Sequence, residues 1–194
     1  MKTSILNSIL FTGTAILFFS FTVPTGWFQA GSDPEKYDMG TDKGAGPDGK
    51  NAATIKSIAE TIKGFGTLMQ NCSPDHYTGK RIRMSGYMKS NKVQDWAGFW
   101  LRIDSKNGTG ALGFDNMQNR AVKGTTDWLK YEIVLDVPED AYNIGYGALL
   151  SGTGQIWFDD MKIEIVDHSV STTNLGDTYT KAPVSPVNLS FEEE

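Results

Sequence analysis

The stretch Trp96-Ala97-Gly98-Phe99-Trp100-Leu101-Arg102-Ile103-Asp104 alternates between two kinds of side chain. The residues of one parity are apolar: Ala97, Phe99, Leu101 and Ile103. The residues of the other parity are Trp96, Gly98, Trp100, Arg102 and Asp104. Successive side chains of a β-strand point to opposite faces of the sheet. The pattern therefore predicts a strand with one face in the core and a second face that carries tryptophan and charge.

Similar short runs, bounded by Gly, Asn, Asp and Pro, fill the chain beyond residue 23. They predict strands at residues 27–31, 51–57, 65–70, 80–90, 96–104, 111–115, 128–137, 142–151 and 155–166. No stretch keeps a 3.6-residue period, so we expect little helix. About nine strands without helical crossovers predict an all-β fold, an antiparallel two-sheet β-sandwich of jelly-roll type.

Parity also assigns the faces of three further strands. In residues 80–90 and 128–137 the predicted core residues are Ile82, Met84, Gly86, Met88, Leu129, Tyr131, Ile133, Leu135 and Val137. Val134 falls on the opposite face. In residues 155–166 the apolar parity changes after Phe158, which predicts a β-bulge near Asp159 and Asp160.

Composition narrows the classes of function. The 194 residues are 39% hydrophobic and include one Cys, which excludes an internal disulfide framework and a cysteine-based zinc cluster. The chain has 18 Lys and Arg against 23 Asp and Glu, a net charge of −5. An acidic chain with no basic tail is a poor partner for nucleic acid or for an anionic membrane surface.

The two ends of the chain differ from the middle. Residues 1–22 carry Lys2 and then an apolar run, which is typical of a signal peptide, although an uncleaved membrane anchor is the main alternative. We therefore expect an exported protein that contacts membrane only through this segment, and only if the segment is not cleaved. Residues 23–166 form the predicted sandwich, residues 167–186 a polar linker, and residues 187–194 a final strand in which Val187, Leu189 and Phe191 alternate with polar residues.

Several motifs carry a family likeness. The segment Pro24-Thr25-Gly26-Trp27-Phe28 resembles the opening of jelly rolls of the carbohydrate-binding-module type, which are galactose-binding-like folds, and residues 155–164 resemble their closing strand. The segments at residues 96–104, 114–118, 124–128 and 135–138 are similar to a bacterial jelly-roll family often labelled AraC-type transcriptional regulator. The resemblance spans about residues 23–166 and implies the fold. Since the sequence has no helix-turn-helix pattern, the regulator label is not carried over.

The order of one motif departs from this resemblance. In such jelly rolls an Asn-Leu-x-Phe-Glu strand precedes the Pro-x-Gly-Trp motif, whereas here Asn188-Leu189-Ser190-Phe191-Glu192 stands near the C-terminus. Either this strand fills the position of the first strand, or it pairs with another molecule. The first alternative hides a sheet edge within the chain and is therefore expected.

The main functional prediction is a saccharide site on a sheet face. Sugar rings present apolar faces to tryptophan, while polar side chains bind their hydroxyl groups. The predicted ligand-binding residues are Trp96, Trp100, Arg102, Asp115, Asn116, Gln118 and Gln70. The alternative is structural: Trp100 covers the core, and Arg102 forms a cross-strand ion pair with Asp115.

Two other functions stay open. One is a glycan-active hydrolase or lyase that uses paired carboxylates such as Asp104 and Asp115; the other is a protein-interaction or sensor module. Cys72 and His76 lie close in sequence, but no third group that would orient them is evident.

The resemblance to jelly-roll modules also implies a structural Ca²⁺ near the terminal strands. Carboxylate oxygens suit this ion, and the candidate ligands are Asp159, Asp160 and Glu192. A bulge with exposed carboxylates is the simpler interpretation of the first two.

Overall fold

In a computed structural model of the protein, residues 20–108 and 110–173 are described. They form nine strands: β1 Phe28–Gly31, β2 Tyr37–Asp42, β3 Ala52–Ser57, β4 Phe65–Cys72, β5 Lys80–Ser105, β6 Ala111–Asp115, β7 Val122–Val137, β8 Ala141–Ser151 and β9 Gln155–Val166. The other regular elements in these residues are short 3-10 turns at Pro34–Lys36, Pro47–Gly49 and Gln118–Arg120. The all-β prediction is confirmed.

The strands form two antiparallel layers that share β5. Sheet A has the order β1-β4-β8-β5-β6 and uses residues 96–105 of β5. Sheet B has the order β2-β3-β9-β5-β7 and uses residues 80–91 of β5. Hydrogen bonding is therefore continuous from one layer to the other through a single strand of 26 residues.

The core lies between the two layers. Phe99 from sheet A meets Phe158 from sheet B edge to face, with ring centroids 6.0 Å apart. Gly86 of β5 leaves room for this packing, because a Cβ there would lie 2.9 Å from the Phe99 ring. The apolar parity predicted for residues 96–104 is buried, with Ala97, Phe99, Leu101 and Ile103 at most 1% exposed.

The predicted bulge is present in β9. Lys162 pairs with Ser85 and Asp159 pairs with Tyr87, so two residues of β9 lie opposite the single residue Gly86. Asp160 has a φ of 50°, in the left-handed region. Because of this extra residue, Phe158 and Met161 both pack against the core.

Two residues of β7 do not lie on the predicted faces. Leu129 is 50% exposed, because the short strand β6 lies beside Leu135 and does not reach this end of β7. Val134 is 3% exposed, although its parity predicts the outer face. The chain after β9 returns to β7 here: Thr173 N donates to Val134 O, and Val134 N donates to Thr173 Oγ1.

Candidate functional site

On the outer face of sheet A, the indole ring of Trp100 lies over Gly145 of β8. Trp100 of β5 lies opposite Gly147 of β8, and the neighbouring pair is Arg102 with Gly145. A Cβ on Gly145 would lie 3.4 Å from the Trp100 ring, so the ring extends across β8. On the far side, Trp100 Nε1 donates a hydrogen bond of 2.8 Å to Thr67 on β4. The half-buried ring is thus held flat along the sheet.

The ring lies in a cleft with a volume of about 560 Å³. Strands β4, β5, β6 and β8 supply most of its walls, and the side chains alternate toward it as a β-sheet requires. The apolar part is formed by Ala30, Phe65, Met69, Trp96, Leu149 and Phe114 around Trp100. This cleft opens on the face that the sequence assigned to tryptophan and charge.

Polar side chains collect at one end of the cleft. Arg102 Nε lies 2.6 Å from Asp104 Oδ1, and Asn143 Nδ2 donates to Asp104 Oδ2 at 3.0 Å. Asn71 lies across β8 from Arg102, and its side chain has no hydrogen-bond partner among the described residues. The terminal nitrogens of Arg102 likewise have none there, and half of this side chain is exposed. These groups can bind the hydroxyl groups of a ligand.

The structure brings four of the predicted ligand-binding residues together. Trp96, Trp100, Arg102 and Asn116 all line the cleft. The ion pair between Arg102 and Asp115, which was the structural alternative, does not form. Arg102 pairs with Asp104 instead, and Asp115 pairs with Arg120 at 2.7 Å.

The other three predicted residues lie elsewhere. Asp115 is fully buried, and it accepts hydrogen bonds from Met117 N and from the guanidinium of Arg120. Gln70 lies on the inner face of β4, where it accepts a hydrogen bond from the Tyr146 hydroxyl. Gln118 is exposed in the 3-10 turn after β6, and its backbone N–H donates to Asn116 Oδ1. Strand parity explains the first two positions, because Leu68 and Gln70 share one face, and so do Gly113 and Asp115.

Sequence reasoning missed several residues of the cleft. Asn71, Asn143 and Phe114 line it, as do Phe65 and Thr67. The same parity that places Gln70 inside places Asn71 outside, and that signal was present in the sequence. Nothing in the sequence shows that β4 and β8 lie next to β5, because this adjacency depends on pairing between distant segments.

A second cavity of about 510 Å³ opens between the two layers. Its lining includes Trp27, Gln70, Cys72, His76, Tyr77, Tyr146, Met161, Lys162 and Ile163. Burial raises the pKa of the Cys72 thiol, which is the opposite of the activation that a catalytic cysteine needs. Burial also raises the pKa of the Tyr146 hydroxyl, with smaller contributions from Cys72 and Tyr77. The cavity therefore gives no support to a Cys72–His76 nucleophile.

The calcium prediction remains a prediction. Asp159 Oδ1 accepts a hydrogen bond from Asp160 N, and Asp160 lies 3.4 Å from Lys162 Nζ. The third candidate ligand, Glu192, lies outside the described residues. Within residues 20–108 and 110–173, no three His, Cys, Asp or Glu side chains group as a metal site. Equal melting curves with and without a chelator would exclude a Ca²⁺ that stabilises the fold.

The apolar segment lies almost wholly outside the described residues. Its last residues, Ser20–Thr22 in the sequence, contact β2: Thr41 N donates to Thr22 O at 2.8 Å, and the Ser20 hydroxyl donates to Asp38. In the part of the chain that the structure describes, no helix is long and apolar enough to cross a membrane. The prediction of export is not tested by these contacts.

The chain is similar in sequence to a Bacillus subtilis (strain 168) protein described as "Uncharacterized HTH-type transcriptional regulator YbfP". The two are 45% identical over 170 residues, which is 87% of this chain and 57% of the relative. This chain therefore spans little more than half the length of that protein. No protein-family model matches the sequence.

Solved structures of the same fold include carbohydrate-binding modules. The CBM22-1 xylan-binding domain of Paenibacillus barcinonensis Xyn10C has a TM-score of 0.54 at 16% identity, over 75% of this chain and 88% of that chain. A structure described as "Family 16 Carbohydrate Binding Module-2" has a TM-score of 0.51 at 11% identity, over 66% of this chain and 86% of that chain. The enzymatically active domain of bacteriophage CBA120 tailspike protein 4 has a TM-score of 0.54 at 12% identity, over 73% and 20%. At these identities the similarity establishes the β-sandwich fold alone.

Proposed function

We propose that the protein binds a saccharide, without transforming it, in the cleft on the outer face of sheet A. The single observation that carries this proposal is the Trp100 ring, held over Gly145 of β8 by its bond to Thr67 and half-exposed to the cleft. A flat indole offers a stacking surface to the apolar face of a sugar ring. Because its Nε1 is already bonded to Thr67, the ring is held in place before a ligand arrives, which lowers the entropic cost of binding.

The polar end of the cleft supplies the second requirement of a sugar site. Asn71 offers an amide, and Arg102 offers its terminal nitrogens, while the carboxylate of Asp104 is fixed by Asn143. The one positive charge and the one negative charge of this end balance each other. A neutral saccharide therefore fits better than a strongly charged one.

The comparisons support the same class of ligand. Two modules of this fold are named for xylan binding or for carbohydrate binding. The identity of the sugar does not follow from this similarity. We further propose that the protein acts outside the cytoplasm, as residues 1–22 suggest.

Replacement of Trp100 by Ala tests the proposal. A glycan array should first identify a ligand for the wild-type protein, and titration calorimetry should then show a loss of affinity of about tenfold or more, or ~1.4 kcal/mol, for Trp100→Ala. Trp157→Ala is the matched control, because Trp157 lies in sheet B, where its Nε1 donates to Asp42. Circular dichroism verifies that both variants fold. Equal affinity of Trp100→Ala and the wild type would contradict the proposal.

A hydrolase with Asp104 and Asp115 as its paired carboxylates has less support. Asp104 lines the cleft, whereas Asp115 is buried in its ion pair with Arg120 and does not line it. Binding that saturates without formation of product is the expected result when the ligand is incubated with the protein.

A sensor role is the second candidate, and the sequence relative favours it. That protein is described as a transcriptional regulator, and 57% of its length corresponds to this chain. A sensor must change shape or assembly when its ligand binds. Sedimentation and hydrogen exchange with and without saccharide therefore separate the two roles, since unchanged patterns would favour a plain binding module.

A further inference from the structure

Strand β9 has one open edge. Its first part, residues 155–158, pairs with β3 on one side and with β5 on the other. After the bulge, residues 161–166 pair with β5 alone among the described residues. An unpaired edge presents a row of free backbone N–H and C=O groups, which is a template for another strand.

The open edge borders the second cavity. Met161 and Ile163 of β9 form one wall, and Trp27, Cys72 and Tyr146 lie across from them. Ile165, further along the same edge, is 53% exposed. Among residues 20–108 and 110–173, sheet B is therefore incomplete at this point: backbone groups of β9 lack a partner strand, Met161 and Ile163 are half-buried, and Ile165 is exposed.

The chain itself contains a segment with the matching pattern. In residues 187–194, Val187, Leu189 and Phe191 share one parity, as a half-buried strand requires. The segment ends in Glu192-Glu193-Glu194. Lys162 beside the cavity is 62% exposed and lies 3.4 Å from Asp160, so its ammonium can pair with a further carboxylate at the open edge.

The chain between Thr173 and Val187 is long enough to bring the segment to the open edge of β9. Val187 lies 14 positions after Thr173, whose backbone is bonded to Val134 on β7. An extended chain of that length reaches about 46 Å. A domain of this size has a radius of gyration of about 15 Å, so the segment can return from β7 to the far side of β9.

We propose that residues 187–194 bind along residues 161–166 of β9 as a further strand of sheet B and place apolar side chains in the second cavity. This strand closes the sandwich between the layers and leaves the saccharide cleft untouched, since the cleft lies on the outer face of sheet A. The proposal is independent of what the cleft binds.

The one cysteine of the chain allows a direct test. Cys72 lines the cavity, so a second cysteine in the segment should form a disulfide with it when the Cα atoms approach within about 7 Å. The variants are Val187→Cys, Leu189→Cys and Phe191→Cys, with Asn188→Cys and Ser190→Cys as controls of opposite parity. Oxidised glutathione supplies the oxidant, at mildly alkaline pH because burial raises the pKa of Cys72.

The expected result is an intramolecular disulfide in at least one of the three variants, found in the monomer by peptide mapping, and much less in the two controls. Adding Cys72→Ser should abolish it. Disulfide-linked dimers in place of linked monomers would show that a second copy fills the cavity, and equal reaction of both parities would show that the segment is not docked. Either outcome overturns the proposal.

Stability gives an independent measurement. Leu189→Asp should lower the melting temperature by several degrees, whereas Ser190→Asp, its neighbour of opposite parity, should change it little. Saccharide affinity should be the same in both variants. Equal melting temperatures of Leu189→Asp and the wild type would contradict the docking of this segment.

Discussion

At the scale of single residues, Tyr37 shows how a polar group is accommodated in this core. The side chain is 4% exposed, and its hydroxyl donates to the backbone oxygen of Gly152 at 2.9 Å. The ring lies against Gly66, where a Cβ would come within 2.6 Å of it. Tyr37 therefore joins the start of β2 to the β8–β9 turn through one buried phenol.

Because Tyr37 is buried, the free energy of unfolding should decrease as the pH rises through the alkaline range. Burial raises the pKa of Tyr37 to about 12 from the usual 10.0, and the negative charges of Asp33 and Asp95 act in the same direction. Since the folded state holds this proton more tightly than the unfolded state, the stabilisation is complete below pH 10 and is lost as the pH rises to 12.

We expect Tyr37→Phe to reduce that dependence. The variant should lose about 1 kcal/mol at neutral pH with its hydrogen bond, and its free energy of unfolding should fall less steeply than that of the wild type above pH 10. Urea denaturation over this pH range measures both effects. Tyr142→Phe is the control, because that side chain is 69% exposed. If the two variants show the same pH dependence as the wild type, Tyr37 is not the cause.

At the scale of elements, the bulge in β9 determines which side chains meet the core. Asp160 adopts a φ of 50°, a conformation that costs about 1 kcal/mol or more for a residue with a Cβ. The bulge keeps Phe158 and Met161 on one face. It lies between the part of β9 that pairs with β3 and the part that borders the second cavity.

We expect Asp160→Gly to be tolerated or mildly stabilising, because glycine adopts positive φ freely. Asp160→Val should cost about 1–3 kcal/mol, since a branched side chain is strained there. Lys56→Val is the control, at an exposed site on β3 with no positive φ. Thermal denaturation of the three variants checks the order. A loss of stability in Lys56→Val as large as that in Asp160→Val would rule out backbone strain as the reason.

Strand parity predicted the features that depend on neighbours in sequence, but not those that depend on pairing between distant segments. It placed residues 96–104 and the bulge correctly, because both depend on neighbours in sequence. It did not predict β2, whose Asp38, Gly40 and Asp42 have low strand propensity and depend on pairing with β3. Residues 80–90 and 96–104 were predicted as two strands, and β5 joins them through register shifts and a positive φ at Lys92.

The same limit applies to the site. Trp96, Trp100 and Arg102 follow from one strand and were found. Gln70 was assigned to the site although its own parity with Leu68 places it in the interior. The polar partners Asn71 and Asn143 required knowledge that β4 and β8 adjoin β5, which the order of the chain does not reveal.

At the scale of the whole molecule, β5 makes the two layers one folding unit. It pairs with β7 and β9 in sheet B and then with β8 and β6 in sheet A, without a loop between. Loss of either layer would leave half of this strand without partners. The layers should therefore unfold together.

Core substitutions in each layer test this coupling. Leu101→Ala in sheet A and Ile82→Ala in sheet B both remove fully buried side chains, and each should cost about 2–5 kcal/mol. In urea, tryptophan fluorescence and far-ultraviolet circular dichroism should give one coincident transition for each variant. Separate transitions by the two probes would mean that the layers fold independently.

The positions of Ser20 and Thr173 have a consequence for how such a domain is joined to others. Ser20 contacts Asp38 on β2, and Thr173 is bonded to Val134 on β7, so the chain enters and leaves at opposite borders of sheet B. Trp100 is in the other layer. A neighbouring domain attached at either point would sit beside sheet B, and the face of sheet A that carries the cleft would stay accessible to a long ligand.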